Sequence, residues 1–563
     1  MNGPRRGHAA RPESTDTGRG RWLGLLMLSL GLSMIVVDAT IVNVAVPSIV
    51  RDLKLDGSAA EWIVSIYPLV FAALLITFGR FGDVAGRRRL FLLGLGIFTA
   101  GSVLAGLAPG GLALIGARVL QGVGGAAIAP ATQSILNTTF RGRDRAIAFG
   151  VYGSVIGGMA ALGPLLGGWL TTNLSWRWAF YINVPIALVV VAGTLLWIRE
   201  SRDEDARSGF DPAGFVLITL GLGAIVFALI EGYRYGWLAP SRPFELLGWT
   251  WPFSGISIIP VAIVLGLASL VAFVAVEQRR KRAGLFYLFD FDLWREPTFR
   301  FGNLTATIVS LGEFGLLFAL PLFFQAVIGY TAFETGLVFL TLAAGSFVAA
   351  PLAGMLAGRF EPRRTVQVGM LLETAGILGV TLLLSKTVEG ITLAVPFFLY
   401  GMGVGFSTAQ LANVILSDIP PERSGLASAT NSTVRQVGTA LGSAVLGTML
   451  LVGLNTGTHD RLAQAPGLPP AQQQAIATAI EESAGQALIA LRSDPAAQAA
   501  VGPIEDAFVG AARTVGFVAA AFMGLGLSFS LLLPSLRAHQ PRRVAEPRSV
   551  AEPTSEPRGA AVS

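Results

Sequence analysis

Residues 79–89 read GRFGDVAGRRR and separate two uncharged apolar blocks, at about 62–78 and 90–108. Each block approaches the roughly 20 apolar residues that a helix needs to cross about 30 Å of hydrocarbon. Strands could not cross there, because an open sheet edge in lipid leaves backbone groups without hydrogen-bond partners. The stretch is therefore predicted to be a short polar loop between two membrane-spanning helices.

Spacing inside this loop is more specific than its basic charge. Gly79 would let two helices approach closely, and Gly86 would support a tight turn. Asp83 and Arg87 could pair or separate as the two halves of the protein move. An ordinary basic loop is the alternative, but it would not require this spacing of glycine, aspartate and arginine.

Apolar blocks of the same kind recur along the whole chain, and about fourteen transmembrane helices are predicted. Their approximate positions are 22–46, 62–78, 90–108, 112–135, 146–170, 179–198, 213–232, 257–276, 301–327, 334–357, 366–385, 390–414, 429–452 and 508–533. The composition agrees, because 53% of the residues are hydrophobic and only 13% are charged, against about a quarter in a soluble protein.

The distribution of basic residues predicts the orientation of these helices. With the N-terminus inside, 30 of the 41 Lys and Arg residues fall in inside segments and 8 in outside segments. Because inside loops carry the excess of basic residues, both termini are expected to be cytosolic and the protein to lie in the cytoplasmic membrane. The basic face would meet anionic lipid headgroups, which accounts for a pI near 9.9 without nucleic acid.

Composition also limits the chemistry. The chain has no cysteine, which excludes disulfides and thiolate metal sites, and its three histidines lie outside the apolar blocks. Proton chemistry within the membrane would therefore rest on carboxylates. Residues 122–127 resemble a dinucleotide loop only superficially, since no strand precedes them, and no Gly-Lys pair offers a Walker A loop. No cofactor, metal or ATP is expected.

Four further motifs accompany the loop at 79–89. They are DATIVNVAVP at 38–47, RVLQGVGGAAIAP at 118–130, GPLLGG at 163–168 and WRWAFYINVP at 176–185. Together with the loop they resemble the fourteen-helix drug:proton antiporters of the major facilitator superfamily, which export quaternary ammonium compounds, dyes and antibiotics. The resemblance covers about residues 22–452, and the Gly-Pro-x-x-Gly-Gly element is the mark of antiporters within the superfamily.

The chain departs from the family pattern at two places. Met159 stands in the fifth helix where the pattern usually has glycine. The loop at 358–364, GRFEPRR, corresponds to the loop at 79–89 but lacks its aspartate. Gating contacts are therefore expected to be unequal in the two halves.

The resemblance implies an all-α integral membrane protein with a major facilitator fold, in which two six-helix bundles enclose a cavity and two additional helices lie between them. The expected divisions are a cytosolic tail at 1–21 rather than a signal peptide, an N-terminal bundle at 22–198, the extra helices with their linkers at 199–300, a C-terminal bundle at 301–535 and a disordered cytosolic tail at 536–563. The second bundle would include an external loop at 453–506, amphipathic around Ala471–Leu491.

Asp38 is a carboxylate inside the first predicted helix, where a charge costs roughly 2.5–3.5 kcal/mol on insertion scales. Arg118 is its expected partner, since at 1.5 Å per residue the two lie about 13 and 9 Å from the outer ends of their helices. The resemblance places both at the central cavity, together with Asn43 and Gln121 of the same motifs. The pair could serve proton coupling, or it could be a structural ion pair that only holds two helices together.

Glu313 lies near the middle of the ninth predicted helix, with Phe314, Phe318, Phe323 and Phe324 nearby in sequence. A carboxyl group among aromatic rings suits a flat apolar cation, and it could exchange a proton for that cation. The alternative is a protonated glutamate that is hydrogen-bonded to a neighbouring helix.

Glu373 of the eleventh predicted helix presents the same two alternatives nearer the cytoplasmic side. The pairs Gly163–Gly167 and Gly401–Gly405 are predicted mainly to pack helices, with an indirect effect on gating. The residues assigned to conformational gating are Gly79, Asp83, Gly86, Arg87, Gly163, Pro164 and Gly167.

The sequence therefore predicts a secondary active exporter of small amphipathic, cationic compounds that works by proton antiport and alternating access. Its expected partners are the small-molecule substrate, protons and the lipid bilayer, and no oligomer is required. An enzyme is not expected, because no nucleophile–base or metal constellation appears. A dedicated exporter of one endogenous metabolite or lipid stays open as an alternative, and a non-transporting membrane sensor is a more distant one.

Overall fold

The computed structural model describes residues 18–534 apart from 141, 203–210, 247–248, 357–360, 420–423 and 466–467. These residues form seventeen α-helices. Their bounds are α1 (Gly18–Leu53), α2 (Gly57–Ala85), α3 (Arg87–Gly106), α4 (Gly111–Thr139), α5 (Gly142–Asn173), α6 (Trp178–Tyr181), α7 (Asn183–Trp197), α8 (Pro212–Tyr235), α9 (Ile258–Arg282), α10 (Pro297–Phe323), α11 (Ala332–Leu356), α12 (Pro362–Leu383), α13 (Ala394–Leu416), α14 (Ser424–Leu462), α15 (Pro470–Glu482), α16 (Ala487–Leu491) and α17 (Gln498–Leu531).

Within the described residues, thirteen spans are long and apolar enough to cross a membrane, with α6 and α7 forming one span. The helix α5 is 32 residues long, or about 48 Å at 1.5 Å per residue, and coincides with the predicted block at 146–170. A helix thus stands at each of the fourteen predicted apolar blocks. The chain is a multi-pass helical membrane protein, as the sequence predicts.

Polar residues at the helix starts explain where several of these helices begin. The Asp56 carboxylate accepts a hydrogen bond from the backbone N–H of Ala59 at 2.8 Å and so caps α2. Asp211 does the same for α8 through the N–H of Gly214, also at 2.8 Å. Such caps satisfy backbone donors that have no partner within the helix. Asp56 and Asp211 therefore mark the points at which the connecting segments end and the helices α2 and α8 begin.

The two ends of the molecule carry different structures and are named here for them. The loop side contains residues 79–89, and the cap side contains α15 and α16. Helices α1 to α7 pack mainly with one another, as do α10 to α14 with α17. Between these two groups, α5 packs against α11 and α2 packs against α14. The paired helices α8 and α9 stand beside this boundary, where α8 touches both α2 and α14.

The predicted external connection at 453–506 is largely helical. The helix α14 continues to Leu462 and α17 begins at Gln498, because polar residues can extend a helix beyond the hydrocarbon into water. Within the connection, α15 and α16 correspond to the predicted amphipathic stretch, and Ile476, Ile480 and Leu488 are buried. The predicted tails fall mostly on residues 1–17 and 535–563, outside the described part of the chain.

One element of the connection between α8 and α9 is not helical. Glu245–Leu246 pairs with Trp249–Thr250 in an antiparallel ladder of two residues per strand. The predicted domain boundaries remain predictions.

Candidate functional site

Asp38 lies at the centre of a polar cluster inside the first helix group, and its side chain is fully buried. One carboxylate oxygen accepts hydrogen bonds from Gln121 at 2.7 Å and from Asn183 at 3.2 Å, and the other forms an ion pair with Arg118. Gln121 and Asn183 also donate to the Ser102 hydroxyl, at 2.9 and 3.1 Å. The predicted partnership of Asp38 and Arg118 is therefore present, together with two further polar partners.

Arg118 uses the rest of its guanidinium group within the same cluster. Its Nε donates to the backbone carbonyl of Ile63 at 3.2 Å, and its Nη1 also donates to Gln121 at 2.9 Å. The guanidinium lies 4.5 Å from the centre of the Tyr67 ring, which is a cation–π distance. Asp38 and Arg118 are at most 1% exposed, so this pair is enclosed by the first helix group. Its predicted role at the central cavity stays a prediction.

Asn43 lies further along α1 and is also buried. Its Nδ2 donates to the backbone carbonyl of Ala39 at 3.3 Å, within its own helix. The described contacts do not join Asn43 to the cluster around Asp38. The sequence did not indicate Ser102 or Tyr67 as members of the cluster around Asp38. Asn183 lies within the quoted motif at 176–185 but was not assigned to the site.

A second charged cluster lies in the other helix group. Glu313 of α10 is partly exposed, whereas Glu373 of α12 is fully buried. Both lie close enough to Arg435 of α14 to interact with it electrostatically, and they interact with each other. The Ser407 hydroxyl donates to one oxygen of Glu373 at 3.4 Å, and the other oxygen has no hydrogen-bond partner among the described residues.

This second cluster contains two carboxyl groups and one guanidinium. Arg435 can balance one negative charge, so a second positive charge is needed before the cluster is neutral. A proton or an organic cation would supply it. The sequence indicated both glutamates but not Arg435, because their proximity depends on how α10, α12 and α14 pack.

The phenylalanines near Glu313 in sequence do not all surround it. Phe318 is buried against Gly447 of α14. Phe323 stacks edge-on with Phe508 of α17, and Phe324 packs near Phe339, both with ring centres 6.0–6.3 Å apart. The rings of Phe318, Phe323 and Phe324 therefore fill the core on the cap side, and only Phe314 is partly exposed.

The predicted loop at 79–89 is almost entirely helical, because α2 continues to Ala85 and α3 begins at Arg87. The tight turn that the glycine predicts is confined to Gly86. Gly86 has a φ of +116°, a conformation that favours glycine. The Glu200 carboxylate accepts hydrogen bonds from the backbone N–H groups of Arg88 and Arg89 at 3.0 and 3.1 Å, and thereby caps α3. A Cβ atom at Gly86 would lie 2.8 Å from that carboxylate.

Gly79 and Arg87 of the same segment make defined contacts. A Cβ at Gly79 would lie 3.5 Å from Pro130, so α2 and α4 are close at this point. The backbone N–H of Arg87 donates to the carbonyl of Ser201 at 3.0 Å. The side chain of Asp83 lies outside the described part of the chain, so its predicted gating role stays a prediction.

The glycines of α5 allow unusually close helix packing. A Cβ at Gly163 would lie 1.9 Å from the Thr40 hydroxyl, and one at Gly167 would lie 2.5 Å from Ile41, both in α1. On the other face of α5, the Pro164 carbonyl would lie 2.6 Å from a Cβ at Gly336 of α11. The helix α5 therefore joins its own group to the other helix group.

Hydrogen bonds between the two groups are found on the cap side. Gln325 donates to the backbone carbonyl of Val44 at 3.0 Å, and the N–H of Phe333 donates to Thr172 at 3.0 Å. Both contacts join residues near the cap-side ends of their helices. The structure is therefore closed on the cap side.

Two helical groups meet at a closed end, with a buried ion pair in the first and a cluster of two carboxyl groups and one guanidinium in the second, as expected for a polytopic membrane transporter. The chain belongs to the major facilitator superfamily, whose family model matches residues 28–443.

Proteins similar to this chain include drug-resistance proteins. Multidrug resistance protein Stp of Mycobacterium tuberculosis is 33% identical over 83% of this chain and 82% of its own length. Puromycin resistance protein pur8 of Streptomyces alboniger is 35% identical over 76% of this chain and 82% of its own. A bacterial homolog of the human lysosomal transporter Spinster, solved in an inward-facing and unoccupied conformation, shares the fold with a TM-score of 0.57 at 18% identity. That match covers 92% of this chain and 98% of that protein.

Proposed function

We propose that this protein exports small amphipathic cations across the cytoplasmic membrane by proton antiport. The observation that carries the proposal is the cluster of Glu313, Glu373 and Arg435, in which two carboxyl groups share one guanidinium. With both carboxyl groups ionised, the cluster needs one more positive charge to be neutral. A proton and a cationic substrate can each supply that charge, and a site that accepts either in turn exchanges them. The names of the relatives, which refer to resistance against drugs and puromycin, support export of such compounds.

The cap side would face outward and both termini would be cytosolic, in line with the excess of basic residues on the loop side. With the cap side closed, Glu313 would be reached from the cytoplasm. Substrate would bind there as a proton leaves, and rocking of the two helix groups would then open the cap side. The cluster around Asp38 and Arg118 would hold its helices together during this motion rather than touch the substrate.

Proton flow supplies enough energy for such export. A membrane potential of 100 mV provides about 2.3 kcal/mol for each charge moved. Since each 1.4 kcal/mol is a tenfold ratio, this supports a substrate gradient of roughly fifty-fold per net charge.

The proposal is tested with inverted membrane vesicles that contain the protein and a fluorescent cationic dye. Imposing a proton gradient should drive dye uptake, and a protonophore should abolish it. A matched sample carrying both Glu313→Gln and Glu373→Gln should bring the dye only to equal concentrations on the two sides. Uptake that resists the protonophore and requires ATP would contradict proton antiport.

A further inference from the structure

Three helices that must move relative to one another meet on the cap side. The helix α8 packs into the groove between α2 and α14. Its Val226 and Ile230 share an apolar cluster with Trp62 of α2 and Ala444 of α14. If the two helix groups separate on the cap side, α2 and α14 must part, and α8 cannot keep both contacts.

A buried carboxyl group lies at this junction. Glu61 of α2 is fully buried, and the Thr448 hydroxyl of α14 lies 3.1 Å from its Oε2. The same hydroxyl lies 2.9 Å from the backbone carbonyl of Leu229 in α8. A Cβ at Gly447 would come within 3.0 Å of the Glu61 carboxyl carbon, so this carboxyl lies directly against α14. Its Oε1 is buried and has no hydrogen-bond partner among the described residues.

The number of protons available at this junction decides how it can be satisfied. A threonine hydroxyl has one hydrogen to donate, and an ionised carboxylate has none. With Glu61 ionised, Thr448 can donate to the carboxylate or to the Leu229 carbonyl, but not to both. The Leu229 carbonyl lies inside α8 and also accepts the backbone N–H of Tyr233, so the carboxylate is the acceptor that can be left without a donor. With Glu61 protonated, its O–H donates to Thr448 and Thr448 donates to Leu229. One added proton thus completes a hydrogen-bond chain across all three helices.

The charges that face Glu61 also favour a proton there. One is Glu231 of α8, which accepts a hydrogen bond from the Trp62 indole at 2.9 Å. Asp56 is the other acidic neighbour, and its carboxylate pairs with Arg234 at 3.1 Å. Ionised Glu231 and Asp56 would repel an ionised Glu61. No basic side chain bonds to Glu61 in the described part of the chain.

A cavity of about 310 Å³ connects this junction with the cap side. Glu61 and Thr448 line it, together with Lys54 and, from α15, Glu481 and Glu482. Glu481 pairs with Arg242 from the α8–α9 connection at 3.6 Å. The residues of α14 that line the cavity, among them Asn455, are all uncharged. The cavity is large and polar enough to hold water, which can carry protons to Glu61.

We propose that Glu61 is the proton-binding residue of a gate on the cap side, and that it is protonated when α2 and α14 are together. The proton enters through the cavity as the gate closes and leaves the same way as the gate opens. Acid on the cap side therefore holds the gate closed. Assigning the cap side to the cell exterior rests on the proposed function, but the proton chemistry of Glu61 does not.

The test uses spin labels, which the absence of native cysteine makes simple. Leu174→Cys and Thr387→Cys place one label on each helix group on the cap side, at exposed positions. Distances between the labels are measured from pH 5.5 to 8.5 in lipid nanodiscs. The short-distance population should fall as the pH rises. Glu61→Gln should keep that population at every pH, because its amide N–H replaces the carboxyl O–H as donor to Thr448.

Two matched variants separate this role from packing. Glu231→Gln should keep a pH-dependent distance, because an amide oxygen can still accept the Trp62 hydrogen bond. The midpoint of that dependence should move to lower pH, because the charge that repels ionised Glu61 is removed. Thr448→Val should lower the short-distance population at every pH, and Thr448→Ser should restore it. An unchanged pH dependence in Glu61→Gln, or no pH dependence in the labelled parent, would overturn the proposal.

Proton-driven dye uptake by the unlabelled cysteine pair is measured in parallel. If uptake fails while the label distances behave as expected, antiport is wrong and the assignment of Glu61 stands. If uptake is proton-driven while Glu61→Gln leaves the distances as pH-dependent as before, the assignment of Glu61 is wrong and antiport stands.

Discussion

Asp38 and Arg118 are buried charges whose stability depends on each other. Each has almost no contact with solvent, so removing one partner leaves the other charge unpaired in a medium of low dielectric constant. Gln121 and Asn183 donate to Asp38 as well, so the carboxylate keeps some partners when Arg118 is lost. Arg118 would keep one side-chain oxygen, that of Gln121, as a partner if Asp38 were lost.

We expect Arg118→Gln to destabilise the protein by about 3–5 kcal/mol, the usual cost of breaking a buried ion pair. Asp38→Asn should also lower the melting temperature. The double variant should be more stable than Arg118→Gln alone, because no unpaired charge remains. Purified yield and melting temperature of the three variants measure this. Strictly additive losses would mean that the two residues are not energetically coupled.

Glu313 belongs to a cluster in which one charge is unbalanced, and its own side chain is partly exposed. We expect Glu313→Gln to weaken the binding of a lipophilic cation and to leave a neutral analogue nearly unchanged, because only the cation is attracted by the carboxylate. The pH dependence of cation binding should also become flatter. Binding of both ligands between pH 5.5 and 8.5 provides the measurement. Equal losses for the two ligands would identify Glu313 as a packing residue.

What the sequence could predict about these residues depends on geometry along single helices. The depth of Asp38 and Arg118 follows from counting residues, and their contact was correctly expected. Glu61 lies just before the predicted apolar block at 62–78, where it resembles an ordinary loop residue. Its burial depends on Gly447 of α14, nearly four hundred positions later. No local pattern could indicate that contact, and the same holds for Arg435 beside Glu313.

Helix α5 packs against α1 on one face and against α11 on another, and glycines form both contacts. Gly163 contacts a side chain of α1, whereas Gly168 lies against backbone of α11, with a Cβ there 2.4 Å from the Ala332 carbonyl. A clash with a side chain can be relieved by a second substitution. A clash with backbone cannot, since the helices themselves would have to move apart.

We expect Gly163→Ala to destabilise the protein by about 1–3 kcal/mol, the usual cost of overpacking a core. Adding Thr40→Ala should recover part of this loss, because the Thr40 hydroxyl is the atom in the way. Gly168→Ala is the control, and Thr40→Ala should not rescue it. Melting temperatures of these variants provide the measurement. Failure of Thr40→Ala to rescue Gly163→Ala would contradict the packing described here.

The positions of the helices were predictable because crossing hydrocarbon requires a minimum apolar length. Their ends were less predictable, since water outside the membrane lets a helix continue through polar sequence. The segments on either side of α15 and α16 show this, because α14 and α17 both run into the predicted external loop. The packing of α8 between α2 and α14 also had no signal along the chain.

At the scale of the whole molecule, the cap side is closed by helix packing and by a few hydrogen bonds between the helix groups. Gln325 is buried and donates to the Val44 carbonyl at 3.0 Å, a contact that exists only while the two groups meet there. We expect Gln325→Leu to lower the closed population relative to the open one by about fivefold, which corresponds to about 1 kcal/mol for one hydrogen bond.

The spin-label pair at Leu174 and Thr387 measures this shift. The shift in the closed population caused by Gln325→Leu should have the same size at every pH, because no titratable group is removed. The effect of Glu61→Gln, in contrast, should depend on pH. Gln410→Leu serves as a control, since Gln410 donates at 3.2 Å to the Ala353 carbonyl within one helix group. An equal shift in both variants would mean that loss of a buried hydrogen bond anywhere disturbs the gate.

The length of α14 has a mechanical consequence. Its 39 residues form a rod of about 58 Å, nearly twice the thickness of the hydrocarbon. If this rod turned about its midpoint by about 15°, a rotation that protein switches use, its tip would swing by about 7–8 Å. The helices α15 and α16 follow α14 directly in the chain, so they must move with its tip. An antibody that bound α15 and α16 together with the α8–α9 connection would therefore inhibit transport without entering the substrate pathway.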